Sequence, residues 1–185
     1  MKRSALFHLH QRAGAKFVNH CGWLLTGCFT SREQEAAQLR ASAGLADLSH
    51  YLKFDLRIRP QQHHWSLGGN HYLVMGETPV NSPPGAIDVT GVYANLRLAG
   101  TKSREILRKL TSLNVGEAAL PNLQCAQASV AHVHTMVLRE DLGTMPAFHL
   151  LITREYAESV WESIVHAGHE FHLCPCGLEA LQMLS

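Results

Sequence analysis

A short pattern occurs twice in the chain. Ala46-Asp47-Leu48-Ser49 leads into the segment LKFDLRI, and Ile87-Asp88-Val89-Thr90 leads into YANLRLAG. Each is an apolar–Asp–apolar–hydroxyl turn ahead of a strand that contains Leu-Arg. An aspartate two residues before a Ser or Thr caps its own turn, which accounts for both carboxylates without chemistry. Together with a strand–helix–strand rhythm, the repeat implies two related α+β halves. A length of 185 residues suffices for one large domain or two small interlocked ones.

The elements around the repeat follow from local signals. Leu6 to Gln11 reads as a short entry segment, and Gly14, Gly22 and Gly27 punctuate a loop-rich stretch. Ser31 is placed to cap a helix running to about Ala43, with Gln34 at the capping-box position and Gly44 as C-terminal cap. Leu52 to Ile58 alternates as a half-buried strand should. After a turn at Pro60 to His64, Trp65 to Met75 predicts a hairpin about Gly68-Gly69-Asn70. Glu77 to Gly85 is rich in Pro, Gly, Ser and Asn and predicts an internal boundary near 77–86 of a single 1–185 domain. Ala86 to Ala99, Gln124 to Leu138 and Phe148 to Ile152 read as strands, and Ser103 to Leu113 as a helix. Thr153 is placed to cap a last helix from Arg154 to Ala167. Its apolar stripe is Ala157, Val160, Trp161 and Ile164, and Gly168 ends it.

Composition excludes several classes. At 46% hydrophobic and 17% charged residues, the chain is too apolar to be disordered. A net charge of +1, with no Lys/Arg run longer than two, gives no electrostatic footprint for nucleic acid. No apolar stretch approaches the roughly 18–20 residues of a membrane span. The basic N-terminus, with Lys2, Arg3, Arg12 and Lys16, reads as domain sequence rather than a leader. Five scattered cysteines fit no disulfide framework and point to a reducing, cytoplasmic setting.

Of thirteen histidines, nine fall in local clusters, at His8/His10, His63/His64, His132/His134 and His166/His169/His172. None has the spacing of a zinc motif, and no metal is expected from spacing alone. His132 and His134 would share one face of a strand. The cysteines carry no nucleophile signature, and neither a dinucleotide fingerprint nor a P-loop is encoded. Asp47 and Asp88 could form an acid–base pair, but their matching contexts favour capping.

Leu6 to Trp23 (LFHLHQRAGAKFVNHCGW) resembles the opening of the glycine-cleavage aminomethyltransferase family, the T-proteins. LRASAGLADLSH, Leu39 to His50, resembles that family's R-x-x-A-G-[LM]-x-D-[VL]-S-H segment. Phe148 to Trp161, Ala167-Gly168 and Pro175-Cys176-Gly177-Leu178 resemble its closing strand, helix and P-x-G-L. The middle of the chain, Trp65 to Met75, Ile87 to Val115 and Gln124 to Arg139, is similar to the sarcosine oxidase γ subunit, a small relative of the same fold.

The resemblance implies an α+β fold of two interlocked ferredoxin-like subdomains with antiparallel sheets, ending before the T-protein's separate barrel. It implies tetrahydrofolate as ligand, with nothing bound covalently. It also implies flavoprotein oxidase or one-carbon enzyme subunits as partners. Ligand contacts carry over to Tyr51, Trp23, His50 and Arg139, with His50 or Asp47 as acid or base in an enzyme; no catalytic residue is assigned. The departures bear on function. The N-x-x-G-x-[IV]-x-D-D segment is absent, the pterin-holding glutamate falls at Met145, and the closing Arg and Asp fall at Leu181 and Gln182. A pterin without its carboxylate leaves donors unpaired, at roughly 1–3 kcal/mol per group, which weakens the expectation of folate binding by this chain alone. The reading is therefore a non-catalytic subunit of a complex that oxidises methylated amines. Its alternatives are a minimal tetrahydrofolate-dependent aminomethyltransferase and a free-standing small-molecule sensor. Leu24, Leu25, Phe29, Tyr72 and Met183 are the expected partner-facing apolar residues.

Overall fold

The computed structural model describes residues 1–77 and 81–184. The chain begins with β1 (Lys2–Arg3), α1 (Phe7–Arg12), β2 (Lys16–His20) and β3 (Trp23–Cys28). α2 (Arg32–Ala41), β4 (Gly44–Asp47), β5 (Leu52–Leu56), β6 (Trp65–Gly68) and β7 (His71–Gly76) complete the first half. The second half holds β8 (Ile87–Asp88), β9 (Tyr93–Ala99), α3 (Ser103–Arg108), β10 (Cys125–Val130), β11 (Val133–Arg139) and β12 (Ala147–Thr153). It closes with a 3-10 turn and α4 (Ala157–Gly168), then β13 (Cys174–Pro175) and α5 (Leu178–Gln182). The strands form a three-stranded sheet ordered β1-β3-β2, a six-stranded sheet ordered β10-β11-β12-β9-β4-β13, and a four-stranded sheet ordered β6-β7-β5-β8. The fold is α+β with mainly antiparallel sheets. No helix among the described residues is long and apolar enough to cross a membrane.

The halves interlock through the repeated turns. Asp47 Oδ1 accepts from Ser49 N at 2.9 Å, and Asp88 Oδ1 accepts from Thr90 N at 2.8 Å. Each turn's hydroxyl then accepts a backbone N–H from a strand of the other half: Ser49 Oγ from Asn95 N at 3.1 Å, Thr90 Oγ1 from Lys53 N at 2.9 Å. β4, from the first half, lies between β9 and β13 of the second. Both faces of the central strands are therefore covered. Ala94, Leu96 and Leu98 of β9 and Phe148, Leu150 and Ile152 of β12 pack with Ile106, Val160, Trp161 and Ile164 in the main core. Asn95, Arg97 and His149 point to the other face, where α5 and the four-stranded sheet approach.

Several expectations are corrected. The loop-rich stretch after Gly14 is the β2–β3 hairpin, turned at Cys21-Gly22 with φ of 49° and 78°. The single strand expected over Gln124 to Leu138 is the β10–β11 hairpin, turned at Ala131-His132 with φ of 49° and 66°. Two consecutive positive φ values make a type I′ turn, the kind whose twist matches its strands, but neither dipeptide is the usual Asn-Gly. His132 is thus in a turn and does not share a strand face with His134. Gly44 does not cap α2, which ends at Ala41 with Ser42 as its C-cap. It opens β4, where a Cβ would lie 2.6 Å from Leu39 Cδ2 and 2.9 Å from Cys176 Sγ. Leu6 to Gln11 is largely helix. The strand over Ala86 to Ala99 breaks at the Asp88 turn. α3 stops at Arg108. Thr153 ends β12 without a side-chain cap. Ser31 does cap its helix, accepting from Gln34 N at 3.3 Å. Of the apolar residues expected to face a partner, Leu25 is core, Leu24, Phe29 and Tyr72 are half-buried, and Met183 is exposed. Residues 78–80 of the expected Glu77–Gly85 boundary loop lie outside the described residues.

Candidate functional site

A cavity of about 380 Å³ opens between the turn after β4, the end of β7 and the loop after β11. Tyr51, Met75, Glu77, Arg97, Glu140 and His149 line it, with Leu48, Leu142 and Leu181 as apolar wall. The volume falls in the range of about 300–1,000 Å³ common to small-molecule sites. A larger and more open groove, about 740 Å³, runs past Lys109, Ser129, His132 and His166. None of the unpartnered buried polar atoms among the described residues belongs to its lining. The smaller cavity does have one, on Arg97, and is the candidate site.

Arg97 reaches the cavity because the β9–β12 ladder pairs it directly with His149. It is 3% exposed. Its Nη2 donates to the Glu140 carbonyl at 2.5 Å, while Nη1 has no hydrogen-bond partner. Burial lowers its pKa from the usual arginine value to about 10, against the opposing pull of Glu140. A buried donor without a partner costs about 1–3 kcal/mol.

His149 lies between two acceptors, Asn95 Oδ1 at 3.0 Å and Glu140 Oε2 at 3.1 Å. Burial, reinforced by the neighbouring Arg97, lowers its pKa to about 4, so the ring is neutral near pH 7. A neutral ring donates to only one of the two. With Nε2–H on Glu140, Nδ1 is satisfied only if the Asn95 amide turns its nitrogen toward it. The hydrogen bond from His149, aided by Arg97 and opposed by burial, holds the Glu140 carboxyl down to about 2. The cavity wall thus carries an ionised carboxylate, a neutral imidazole and an underpartnered guanidinium.

Glu77, at the cavity's edge, belongs also to a second cluster. Its Oε1 lies 2.5 Å from His20 Nε2 and 3.6 Å from His50 Nε2. His50 is 2% exposed, and neither of its ring nitrogens has a hydrogen-bond partner. Burial lowers its pKa, against the pull of Glu77.

Of the residues carried over from the family resemblance, Tyr51 lines the cavity, its ring 5.8 Å from that of His149. His50 sits behind it, edge-on to Tyr51 at 5.0 Å. Trp23 and Tyr51 pack on the same core cluster, but Trp23 lines a separate small crevice with Ser49 and Tyr93. Arg139 is buried behind the wall. It grips Asp141 through Nε at 2.9 Å and Nη2 at 2.6 Å and donates from Nη1 to the Leu120 carbonyl at 2.8 Å. Its partner Asp141 is what reaches the cavity. Met145 closes the Leu142–Met145 turn and is not among the residues that line the cavity. Asp47 is committed to its turn. Cys125 and Cys174 are raised to about 11 by burial, and Cys176 is pushed well up by the same cause, so all three stay protonated thiols.

Residues 77–185 match the family model of the GCVT N-terminal domain. The chain belongs to the GCVT aminomethyltransferase family. Among curated GCVT relatives, the aminomethyltransferases of Geobacillus sp. (strain WCH70) and Geobacillus thermodenitrificans are 25% and 27% identical to it. Each alignment takes in 100% of this chain. The chain spans 63% of the length of both. The glycine cleavage aminomethyltransferase T of Bartonella henselae superposes with a TM-score of 0.76 at 17% identity, covering 100% of this chain and 62% of that one. A chain of the heterotetrameric sarcosine oxidase from Corynebacterium sp. U-96 superposes with a TM-score of 0.66 at 15% identity, covering 92% and 96%. These likenesses establish a shared GCVT fold.

Sequence reasoning did not single out Arg97, Glu140, His149 or Asn95. One signal was available: Asn95 and Arg97 sit two apart on a strand otherwise apolar on both faces. Polar residues at that spacing inside a buried strand mark a lined cavity or a paired network.

Proposed function

We propose that this chain is a non-catalytic, ligand-binding component of an assembly that handles methylated amines or amino acids, in the manner of the sarcosine oxidase γ subunit. Its cavity holds a reduced-folate-type pteridine. The observation that carries the reading is the cavity wall itself. A pteridine presents ring and amino N–H donors beside a carbonyl acceptor. Glu140 offers an ionised acceptor, Arg97 a donor lacking a partner, and Tyr51 an aromatic ring at the rim. The residues present therefore fit such a group, although the family's glutamate position is Met145. When bound, a reduced folate supplies a carrier for one-carbon units. The protein's own part is to bind and orient it.

The non-catalytic assignment is supported by the fate of the family's acid–base candidates. Asp47 Oδ1 already accepts both the Ser49 amide and hydroxyl, and His50 is buried behind Tyr51. The match to 96% of a sarcosine oxidase chain supports an assembly of that kind. The test is calorimetric titration of the purified chain with tetrahydrofolate and its 5-formyl derivative. Micromolar binding is expected, lost in Tyr51→Ala and Arg97→Met proteins that remain folded. No heat from a folded sample would remove the ligand reading. Aminomethyl transfer by the chain alone would overturn the non-catalytic one in favour of the minimal transferase.

A further inference from the structure

We infer that His20, His50 and Glu77 form a binding site for a divalent transition-metal ion of the zinc class. The three come from separate parts of the fold: the last residue of β2, the turn after β4 and the residue following β7. One ligand atom from each lies within 4.8 Å of the other two. The His20 and His50 rings stand edge-to-face, their centroids 5.7 Å apart. Two imidazoles and a carboxylate are a donor set suited to Zn²⁺, with a fourth position left for water or a ligand.

The observation that points to an ion, rather than a chance cluster, is His50. Its side chain is 1% exposed, and both ring nitrogens are buried without a hydrogen-bond partner. A ring held dry with neither nitrogen satisfied is rare in a folded protein, and one nitrogen facing a metal accounts for it. The spacing fits. Tetrahedral donors about 2.0–2.1 Å from Zn²⁺ stand about 3.3 Å from each other. His50 Nε2 and Glu77 Oε1 are 3.6 Å apart. His20 Nε2 and Glu77 Oε1, at 2.5 Å, have to part by about 0.8 Å to reach that separation. Both side chains are about one-third exposed and free to do so. Glu77 also lines the cavity, so the ion would border it and tie the β2–β3 hairpin to the turn that carries Tyr51. This site stands independently of the pteridine reading.

The full chain, treated with chelator and dialysed, is titrated calorimetrically with ZnCl₂. One equivalent binding at micromolar Kd or tighter is expected, with at least a tenfold weakening in His20→Gln and in Glu77→Gln. Those two residues are partly exposed, so both variants keep the fold, checked by an unchanged melting curve without metal. His50→Gln is expected to abolish the binding. The Co²⁺-loaded wild type should give a tetrahedral visible spectrum that His20→Gln loses. The proposal is overturned if the wild type takes up no ion, or if the one-equivalent binding survives in both His20→Gln and Glu77→Gln, which would assign it to other histidines.

Discussion

Replacing Arg97 with methionine is expected to make the ligand-free protein more stable while removing its ligand binding. The side chain is 3% exposed, and burial takes its pKa well below the usual arginine value, to about 10, even with Glu140 nearby. At about 1.4 kcal/mol per pH unit, the charged form is destabilised by about 3 kcal/mol in the fold. Because the folded pKa lies below the unfolded one, this penalty is present in full below pH 10 and is relieved only as the pH climbs from there toward the unfolded arginine value. Methionine keeps the unbranched apolar stem and drops the charge. The substitution gives up the hydrogen bond to the Glu140 carbonyl, about 1 kcal/mol, and leaves some space beside an already open cavity. The net expectation is a gain of about 1–2 kcal/mol, in line with buried charges replaced by apolar groups elsewhere. For a chain of this length that is a rise of about 3–6 °C in Tm. The assay is thermal and urea unfolding of both proteins, with and without pteridine. Saturating ligand at about 100 times Kd should add about 2.7 kcal/mol to the wild type and nothing to the variant. A fall in Tm for Arg97→Met without ligand would refute the reasoning, because it would make Arg97 a structural clamp rather than a group held ready for a ligand.

Acid should destabilise the protein before its carboxylates titrate. The pKa of His149 is about 4 in the fold against 6.5 unfolded, and burial also lowers His10 and His50. The unfolded chain takes up protons first as the pH falls, so stability present above about 6.5 is lost toward 4, by about 3 kcal/mol for His149 alone. Tm measured between pH 7.5 and 4.5 should decline more gently in His149→Gln, and parallel curves would contradict this. Glu35→Ala should lose at least about 3 kcal/mol by urea unfolding, because it strands three N–H donors. The Glu35 carboxylate accepts from Phe29 and Thr30 at 2.6 and 2.8 Å and from Gly177 at 2.8 Å. Glu35→Gln should lie between Glu35→Ala and wild type.

The framework was legible where a residue type has one local job. The paired Asx turns at Asp47 and Asp88, the Ser31 cap and the Gly68-Gly69 hairpin could all be read directly, because each is decided within four residues. Elements decided by distant contacts were not. Gly44 looks like a helix stop, yet it is required by Leu39 and Cys176 packing over β4. Cys21-Gly22 and Ala131-His132 turn hairpins because the strands on either side pair, while the dipeptides themselves carry little turn preference. The candidate site divides the same way. Tyr51 could be placed by motif. Arg97, Glu140 and His149 meet only through the β9–β12 register and the loop after β11, and His20, His50 and Glu77 only through three sheets' worth of topology.

The family resemblance puts its pterin-holding glutamate at Met145, and that position and Glu140 bear on one another. Both belong to the segment joining β11 to β12, Met145 at the far side of its tight turn and Glu140 at its base. The Glu140 side chain is 45% exposed and borders the cavity while its carboxylate reaches back to His149 at 3.1 Å. A pteridine recognised there would keep its donors on Glu140 and its carbonyl toward Arg97. Glu140→Gln would then weaken binding of the ring even in the absence of the folate tail, whereas Met145→Glu, at a position outside the lining, would leave ring binding unchanged. If instead Met145→Glu alone strengthened binding and Glu140→Gln had no effect, the ligand would lie against the Leu142–Met145 turn, and the Arg97–Glu140–His149 group would be a charge network with no part in recognition.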